Sequence, residues 1–378
     1  MKMTGNSRMQ NLLLATTLSI GLSFAFPASA EIFLLDSSGK VLSEIGRPGY
    51  TQNVIDDTQA YSINDAGQVA GTFYAEDKSR ASFITGPNGV GMTDLGTLGG
   101  KSSFAYGINN AGQVVGWSLT AAGDTQAFIT GPNGVGMTAL GGSRSVAYGI
   151  NDVGQVVGKS WSGDEPAFIT GPNGVGMTDL GTLGGSNSYS IPYGINNAGQ
   201  VTGYSTTTVA NIHAFTTGPN GVGMTDLGTL GRGSSYSIAY GINDAGQVVG
   251  WTDTAAFDMH AFITGPNGVG MTDLGTLGGE SSIAYGINDA GQVVGWSLTA
   301  AGDKHAFITG PNGMGMTDLN SFAELPVGYV VTDAISINNK GQVLVAATIP
   351  EPENYALMLA GLSLIGFVTW RQKSGSRI

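Results

Sequence analysis

Short apolar runs, alternating or continuous and rich in Val, Ile and Phe, are separated by Asn-, Gly- and Pro-bearing turns over nearly the whole chain. No stretch between residues 31 and 348 holds the 3.6-residue apolar period of an amphipathic helix, so the pattern predicts strands. The strands come in two recurring hairpins. The string Ile-Asn-x-x-Gly-Gln-Val starts at Ile63, Ile108, Ile150, Ile195, Ile242, Ile287 and Ile337, at spacings of 45, 42, 45, 47, 45 and 50. Its Asn opens a type I turn, and its Gly supplies the left-handed residue of a G1 bulge. A second string, built on Ala-Phe-Ile-Thr-Gly-Pro-Asn-Gly-Val-Gly-Met-Thr-Asp-Leu-Gly, surrounds Phe83, Phe128, Phe168, Phe215, Phe262 and Phe307. Its Pro presets the second turn position and its Gly takes φ > 0. A seventh, diverged copy is residues 32–46, which align with the second string without a gap.

Seven copies of each hairpin predict an all-β fold, a seven-bladed β-propeller of four-stranded blades. The body opens on a second hairpin and closes on a first, so residues 335–347 would complete one blade with residues 31–46, closing the ring by pairing its two ends. An open β-solenoid is the other architecture this repeat allows, although no end caps stand out. The strings leave open where a blade begins.

Composition narrows the chemistry. There is no Cys, which excludes disulfides, thiolate metal sites and a cysteine nucleophile. The formal net charge is −12, from 15 basic and 27 acidic residues. Five of those basic residues (Lys2, Arg8, Arg371, Lys373 and Arg377) lie near the termini, so the repeat body is more acidic still and offers no basic face to nucleic acid.

The two ends read as targeting segments. Lys2 and Arg8 precede an apolar stretch over residues 12–26, and Pro27-Ala28-Ser29-Ala30 supplies a small-x-small site, so residues 1–30 read as a signal peptide, with a signal helix, cleaved after Ala30. Signal peptidase is therefore an expected partner. Residues 355–370 carry no charge and are followed by Arg371 and Lys373 as a basic stop. As a helix of 16 residues the segment spans about 24 Å, short of the roughly 30 Å of bilayer hydrocarbon. This makes it a marginal anchor that leaves residues 31–354 outside the inner membrane.

Pro350-Glu351-Pro352, the apolar segment and the basic end, in that order, resemble the PEP-CTERM sorting signal of Gram-negative bacteria over residues 349–378. The resemblance implies an exosortase-type membrane protease as partner, a membrane stage before processing, and a link to exopolysaccharide and biofilm. The repeated Gly-Ile-Asn-x-x-Gly-Gln-Val, with His-Ala-Phe at His213, His260 and His305, resembles the HAF extracellular repeat family over residues 31–348. That implies an extracellular repeat protein of undefined biochemical role. Four blades depart from the name, with Ser82, Gln126, Pro166 and Glu31 read at the His position.

Candidate chemistry is diffuse. The three His residues occupy one repeat position in successive blades, too far apart to share a zinc ion. Asp94, Asp179, Asp226, Asp273 and Asp318 recur in Thr-Asp-Leu, with Ala139 and Glu44 in the other two copies, a distribution that suits a turn hydrogen bond better than one active site. A glycosidase needs two differentiated carboxylates, and there is neither a nucleophile-elbow serine motif nor a phosphate-binding glycine fingerprint. The connections between hairpins vary most and carry Glu76, Asp77, Asp124, Asp164, Glu165, Asp253, Asp258 and Asp303, which predict an acidic recognition face that Ca²⁺ could assist. No cofactor or resident metal is otherwise implied. Trp117, Tyr204, Trp251 and Trp296 share one strand position, suited to packing between blades or to sugar stacking at a rim. The sequence reading is a non-enzymatic exported surface or matrix protein that binds polysaccharide or another envelope component. Its competitors are a propeller lyase or glycosidase and a purely structural array.

Overall fold

The computed structural model describes residues 30–46, 58–74, 79–142, 144–161, 167–184 and 188–349. The signal and hydrophobic helices lie outside the described residues, as do Ala28, Glu76, Asp77, Asp164, Glu165, Pro350, Glu351, Pro352, Arg371 and Lys373. No helix among the described residues is long and apolar enough to cross a membrane.

The described chain forms seven four-stranded antiparallel sheets, the blades of an all-β propeller, with single 3₁₀ turns as its only helical structure. The innermost strands are Gln59–Ile63, Gly99–Ile108, Ser145–Ile150, Ser190–Ile195, Ser237–Ile242, Gly278–Ile287 and Val330–Ile337, which define blades 1 to 7. In blades 1 to 6 the Ile-Asn hairpin forms the two inner strands and the Phe hairpin the two outer ones. Blade 7 has the order Val41–Glu44, Glu31–Leu35, Val343–Thr348, Val330–Ile337, with Glu31 opposite Ala347 and Leu35 opposite Val343. Each inner strand ends at the Asn-x-x-Gly turn, which together with Pro-Asn-Gly makes the turn end of the ring. The variable connections make the opposite, loop end.

The core is divided among the gaps between blades. Phe128 packs with Ala105, Ile108 and Val114 of its own blade against Ala70, Ile84 and Leu95 of blade 1. The same arrangement spans blades 7 and 1, where Ile32, Leu34, Ile45, Leu344 and Ala346 meet Ala60, Val69 and Phe83. The equivalent Phe33, Phe83, Phe128, Phe168, Phe215, Phe262 and Phe307 are all fully buried. Within a blade the two inner strands also run close: a Cβ on Gly116 would fall 1.8 Å from the Phe104 carbonyl oxygen. In Pro-Asn-Gly both Asn and Gly are left-handed, Asn133 at φ +54 and Gly134 at φ +75, so the turn uses two such residues where the sequence suggested one.

The Asn of Ile-Asn ties the blades together. Its Nδ2 donates to the Gln Oε1 of its own turn and also to the main-chain carbonyl of the same Asn in the next blade. Asn64 reaches Asn109, and the series runs through Asn151, Asn196, Asn243, Asn288 and Asn338 back to Asn64 at 2.9–3.2 Å. Its Oδ1 accepts the backbone N–H of that Gln, as in Asn196 and Gln200 at 2.9 Å. Gln200 in turn donates to Oδ1 of Asn267 in the next blade at 3.2 Å. Each Asn is buried, Asn196 at 4% exposure. Asn196→Ala strips partners from Gln200 and from the Asn243 carbonyl in a buried layer, at about 1–3 kcal/mol per orphaned group. We expect a loss of about 3–4 kcal/mol by urea unfolding; a loss below about 1 kcal/mol would mean the ring of amides is dispensable.

Candidate functional site

The inner strands enclose an axial channel. At the turn end a polar cavity of about 160 Å³ is lined by Ile, Asn and Asp or Asn from the Ile-Asn-x segments. Its rim is Asp65, Asn110, Asp152, Asn197, Asp244, Asp289 and Asn339. Each backbone N–H donates to Oδ1 of the next member at 2.8–3.0 Å, and Asn339 returns to Asp65. Where Asn and Asp alternate, the amide also bridges carboxylates, as Asn110 does between Asp65 and Asp152 at 3.1 and 3.0 Å. This mouth is a closed hydrogen-bonded collar.

Above it, a second cavity of about 180 Å³ is lined by Tyr61, Tyr106, Tyr148, Tyr193, Tyr240 and Tyr285, with Ile335 completing the ring in blade 7. Neighbouring tyrosine rings stand 5.3–5.7 Å apart, within the range of favourable edge-on and offset contacts. A β-bulge aims them there: in every blade the register slips at this residue, as between Ala105 and Gly107, which leaves Tyr106 unpaired and turned into the channel. Burial pushes the hydroxyl of Tyr106 up to about 12 and raises Tyr148, Tyr193, Tyr240 and Tyr285 as well. Their partners come from the next strand. Trp296 Nε1 donates to Tyr285 Oη at 3.0 Å, and Trp117 and Trp251 bond Tyr106 and Tyr240.

Trp117, Tyr204, Trp251 and Trp296 therefore sit over the tyrosine ring, toward the loop end. They serve as packing for the channel wall while remaining half-buried. The wall is uneven. On blades 2 and 3, Phe104, Tyr106, Val146 and Tyr148 are buried, whereas Ile191, Tyr193, Ile238, Tyr240, Ile283 and Tyr285 on blades 4 to 6 are only half-buried. The open side of the channel is thus an arc over blades 4 to 6, topped by Tyr204, Trp251 and Trp296. Polar groups flank the arc. At one edge the buried Lys159 places its ammonium 5.4 Å from the Trp161 ring and 5.5 Å from that of Tyr189. At the other, Lys304 lies 4.9 Å from the Trp296 ring and pairs with Asp333, a carboxylate only 2% exposed.

Of the acidic residues read from the sequence as a recognition face, Asp124, Asp253, Asp258 and Asp303 fall among the described residues. Asp124, Asp258 and Asp303 occupy equivalent five-residue turns at the loop end, in which Thr120, Thr254 and Thr299 donate to their carbonyls. Asp253 is no loop residue: it ends strand Val248–Asp253 and accepts the Tyr236 N–H at 2.8 Å, and burial raises its carboxyl. Among the described residues no three His, Asp or Glu side chains come together as a cation would require. The Thr-Asp-Leu carboxylates do hold turns; Asp94 and Asp179 accept from Gly96 and Gly181 at 2.8 Å. The strand register also moves one alignment, because Ala81, not Ser82, stands at the His position of blade 1, opposite Phe73.

Sequence reasoning missed the tyrosine ring and the collar. The signal was present, since Tyr recurs two residues before Ile-Asn, but a strand pattern of period two assigns it to a blade face and the bulge cannot be seen in it. Asp333 was equally silent, being the one carboxylate at its repeat position.

No family model matches the chain, and no curated protein matches it. Among solved structures, the β-propeller domain of the Trilobed protease from Pyrococcus furiosus is 11% identical, covers 71% of this chain and 86% of its own, and has a TM-score of 0.51. A structure from a study of two prolyl endopeptidases is 11% identical over 75% of this chain and 45% of its own, with a TM-score of 0.52. A putative TolB from Agrobacterium tumefaciens is 11% identical over 65% of this chain and 88% of its own, with a TM-score of 0.46. At these identities the likeness is one of fold alone.

The raised hydroxyls of Tyr106, Tyr148, Tyr193, Tyr240 and Tyr285 make the fold sensitive to alkali. Their folded values lie above the unfolded value near 10, so above that pH the unfolded chain binds fewer protons and stability falls as pH rises. Phenolate absorbance should rise in a step that coincides with loss of the circular dichroism signal. A smooth titration of all 13 tyrosines near pH 10 with the fold intact would show the ring to be open to solvent.

Proposed function

We propose that the chain is an exported, non-enzymatic surface or extracellular-matrix protein whose propeller binds polysaccharide, with the sugar seated on the loop-end arc of the channel. The observation that carries this reading is that arc. Tyr204, Trp251 and Trp296 keep part of their rings accessible on the open side of the channel, with Lys159 at one edge and Lys304 with Asp333 at the other. Aromatic planes next to fixed polar groups suit a pyranose, which has apolar faces and a hydroxylated rim. The expected signal peptide and sorting tail agree with a ligand found outside the cell, where signal peptidase and an exosortase-type protease would process the two ends. Ring closure belongs to the same proposal: Glu31–Leu35 is the strand that turns the C-terminal hairpin into a blade and joins the seam cluster with blade 1.

A second reading, an enzyme acting on extracellular polysaccharide, has one observation in its favour. Asp333 is a buried carboxylate that the repeat does not supply elsewhere, since Gln59, Phe104, Val146, Ile191, Ile238 and Ile283 stand at its position.

Affinity electrophoresis in gels containing the producer's exopolysaccharide separates the two. We expect retardation without shortening of the polymer, and a roughly tenfold weaker affinity, about 1.4 kcal/mol, for Trp251→Ala or Trp296→Ala. Depolymerisation that is lost in Asp333→Asn would replace the binding reading with the enzymatic one. Closure has its own test, deletion of residues 31–46. Ile32, Phe33, Leu34 and Leu35 are 0–2% exposed, and each contributes roughly 1.5–3 kcal/mol, so their loss rivals the whole stability of a typical fold, about 5–15 kcal/mol. The truncated chain should show no cooperative melting; an unchanged Tm would refute the closed ring.

A further inference from the structure

The three histidines lie outside the channel, and each is held by a carboxylate on the neighbouring outer strand. His213 Nδ1 meets Asp226 and His260 Nδ1 meets Asp273, both at 2.8 Å, and His305 Nδ1 meets Asp318 at 2.6 Å. The pairs occur at one position in blades 4, 5 and 6, which are consecutive, so they form a row along one arc of the ring. The imidazoles are 18%, 20% and 23% exposed.

The repeat contains its own control for what these pairs do. Each Asp already serves the fold by accepting the turn amide of Gly228, Gly275 or Asn320 at 2.7–2.8 Å. Blade 1 builds the same turn with Asp94 and Gly96 but has Ala81 where the others have His. The turn therefore does not need an imidazole. Exposed pairs of this type also contribute little to stability.

A carboxylate on Nδ1 does something more specific. It fixes the tautomer with hydrogen on Nδ1 and leaves the Nε2 lone pair as the free donor, the outer-shell arrangement of metal-ligating histidine. One imidazole fills only one of the four positions that zinc prefers, so an ion bound at one pair keeps positions open for donors from another molecule.

We propose that these carboxylate-oriented imidazoles are docking points for a divalent transition metal of the zinc class, and that the ion links copies of the chain rim to rim through Nε2 of each. The remaining positions are filled by water. The link is independent of the channel and of any glycan in it.

The test is sedimentation velocity of the chain with Zn²⁺ alone. Zn²⁺ should convert the chain reversibly to larger species, EDTA should dissolve them, and Ca²⁺ and Mg²⁺ should have no effect. His213→Gln/His260→Gln/His305→Gln should abolish association with Tm unchanged. Asp226→Asn/Asp273→Asn/Asp318→Asn keeps an oxygen for the turn amide and should weaken the response to Zn²⁺ by about tenfold or more. Single His260→Gln serves if either triple variant is unfolded, and should reduce the association. No association with Zn²⁺, equal association with Ca²⁺, or association that survives loss of the histidines would overturn the proposal.

Discussion

A single hydrogen bond from one blade to the next, made seven times by the Asn of Ile-Asn, organises the molecule. The donor is a carboxamide whose two hydrogens have different destinations, the Gln of its own turn and the main chain of its neighbour. No other small side chain offers two divergent donors and an acceptor. Asp would turn a donor into a second acceptor, and Ser would have one hydrogen to give. The circle ends with Asn338 donating to Asn64 at 2.9 Å, a contact spanning most of the chain, so the first and last copies meet on the same terms as any adjacent pair. The order of the turn end follows from this bond, because the Gln that it orients carries a further tie to the Pro-Asn-Gly turn of the next blade.

The two ends of the ring consequently differ in freedom. At the turn end nearly every polar group of the repeat is committed to a neighbour, which is why the strings there vary so little between copies. Among the described residues the loop end carries no such circle. Its connections differ in length and composition, and the strand positions that face it hold Thr72, Trp117, Lys159, Tyr204, Trp251, Trp296 and Ala346 in turn. Variation is concentrated where the scaffold does not need identity, and the open aromatic arc lies at that end.

Much of this was legible in the sequence because turn chemistry and strand count are local. Asn, Gly and Pro at fixed offsets specify turns whatever surrounds them, and seven copies specify seven blades. The role of Asp94 and its equivalents followed from the same logic, since a group repeated in most blades is a poor candidate for a single site. Three-dimensional convergence was not legible. Tyr106 enters the channel because the register slips there by one residue, and a slip changes the facing of a side chain without altering the pattern. Of the acids of the variable loops, Asp124, Asp258 and Asp303 sit in equivalent turns of separate blades and Asp253 ends a strand, placements that a list of loops does not show. Ser82 directly precedes Phe83 and so takes the place of Ala in His-Ala-Phe, and strand pairing puts Ala81, not Ser82, at the histidine position.

The collar at the turn end shows how far symmetry can be carried. Its members read Asp, Asn, Asp, Asn, Asp, Asp, Asn around the axis, and a ring with an odd number of members cannot alternate throughout. Asp244 and Asp289 are therefore neighbours without an amide between them. The collar still closes there, with Asp244 donating its N–H to Asp289 Oδ1 at 3.0 Å, because the repeating donor is backbone and makes no demand on the side chain beyond an oxygen. The like charges stand at a solvent-facing mouth, where water and salt screen them. A backbone-to-oxygen ring thus tolerates the one defect that seven blades impose, whereas the buried asparagine circle beneath it, which needs a side-chain donor at every step, has none.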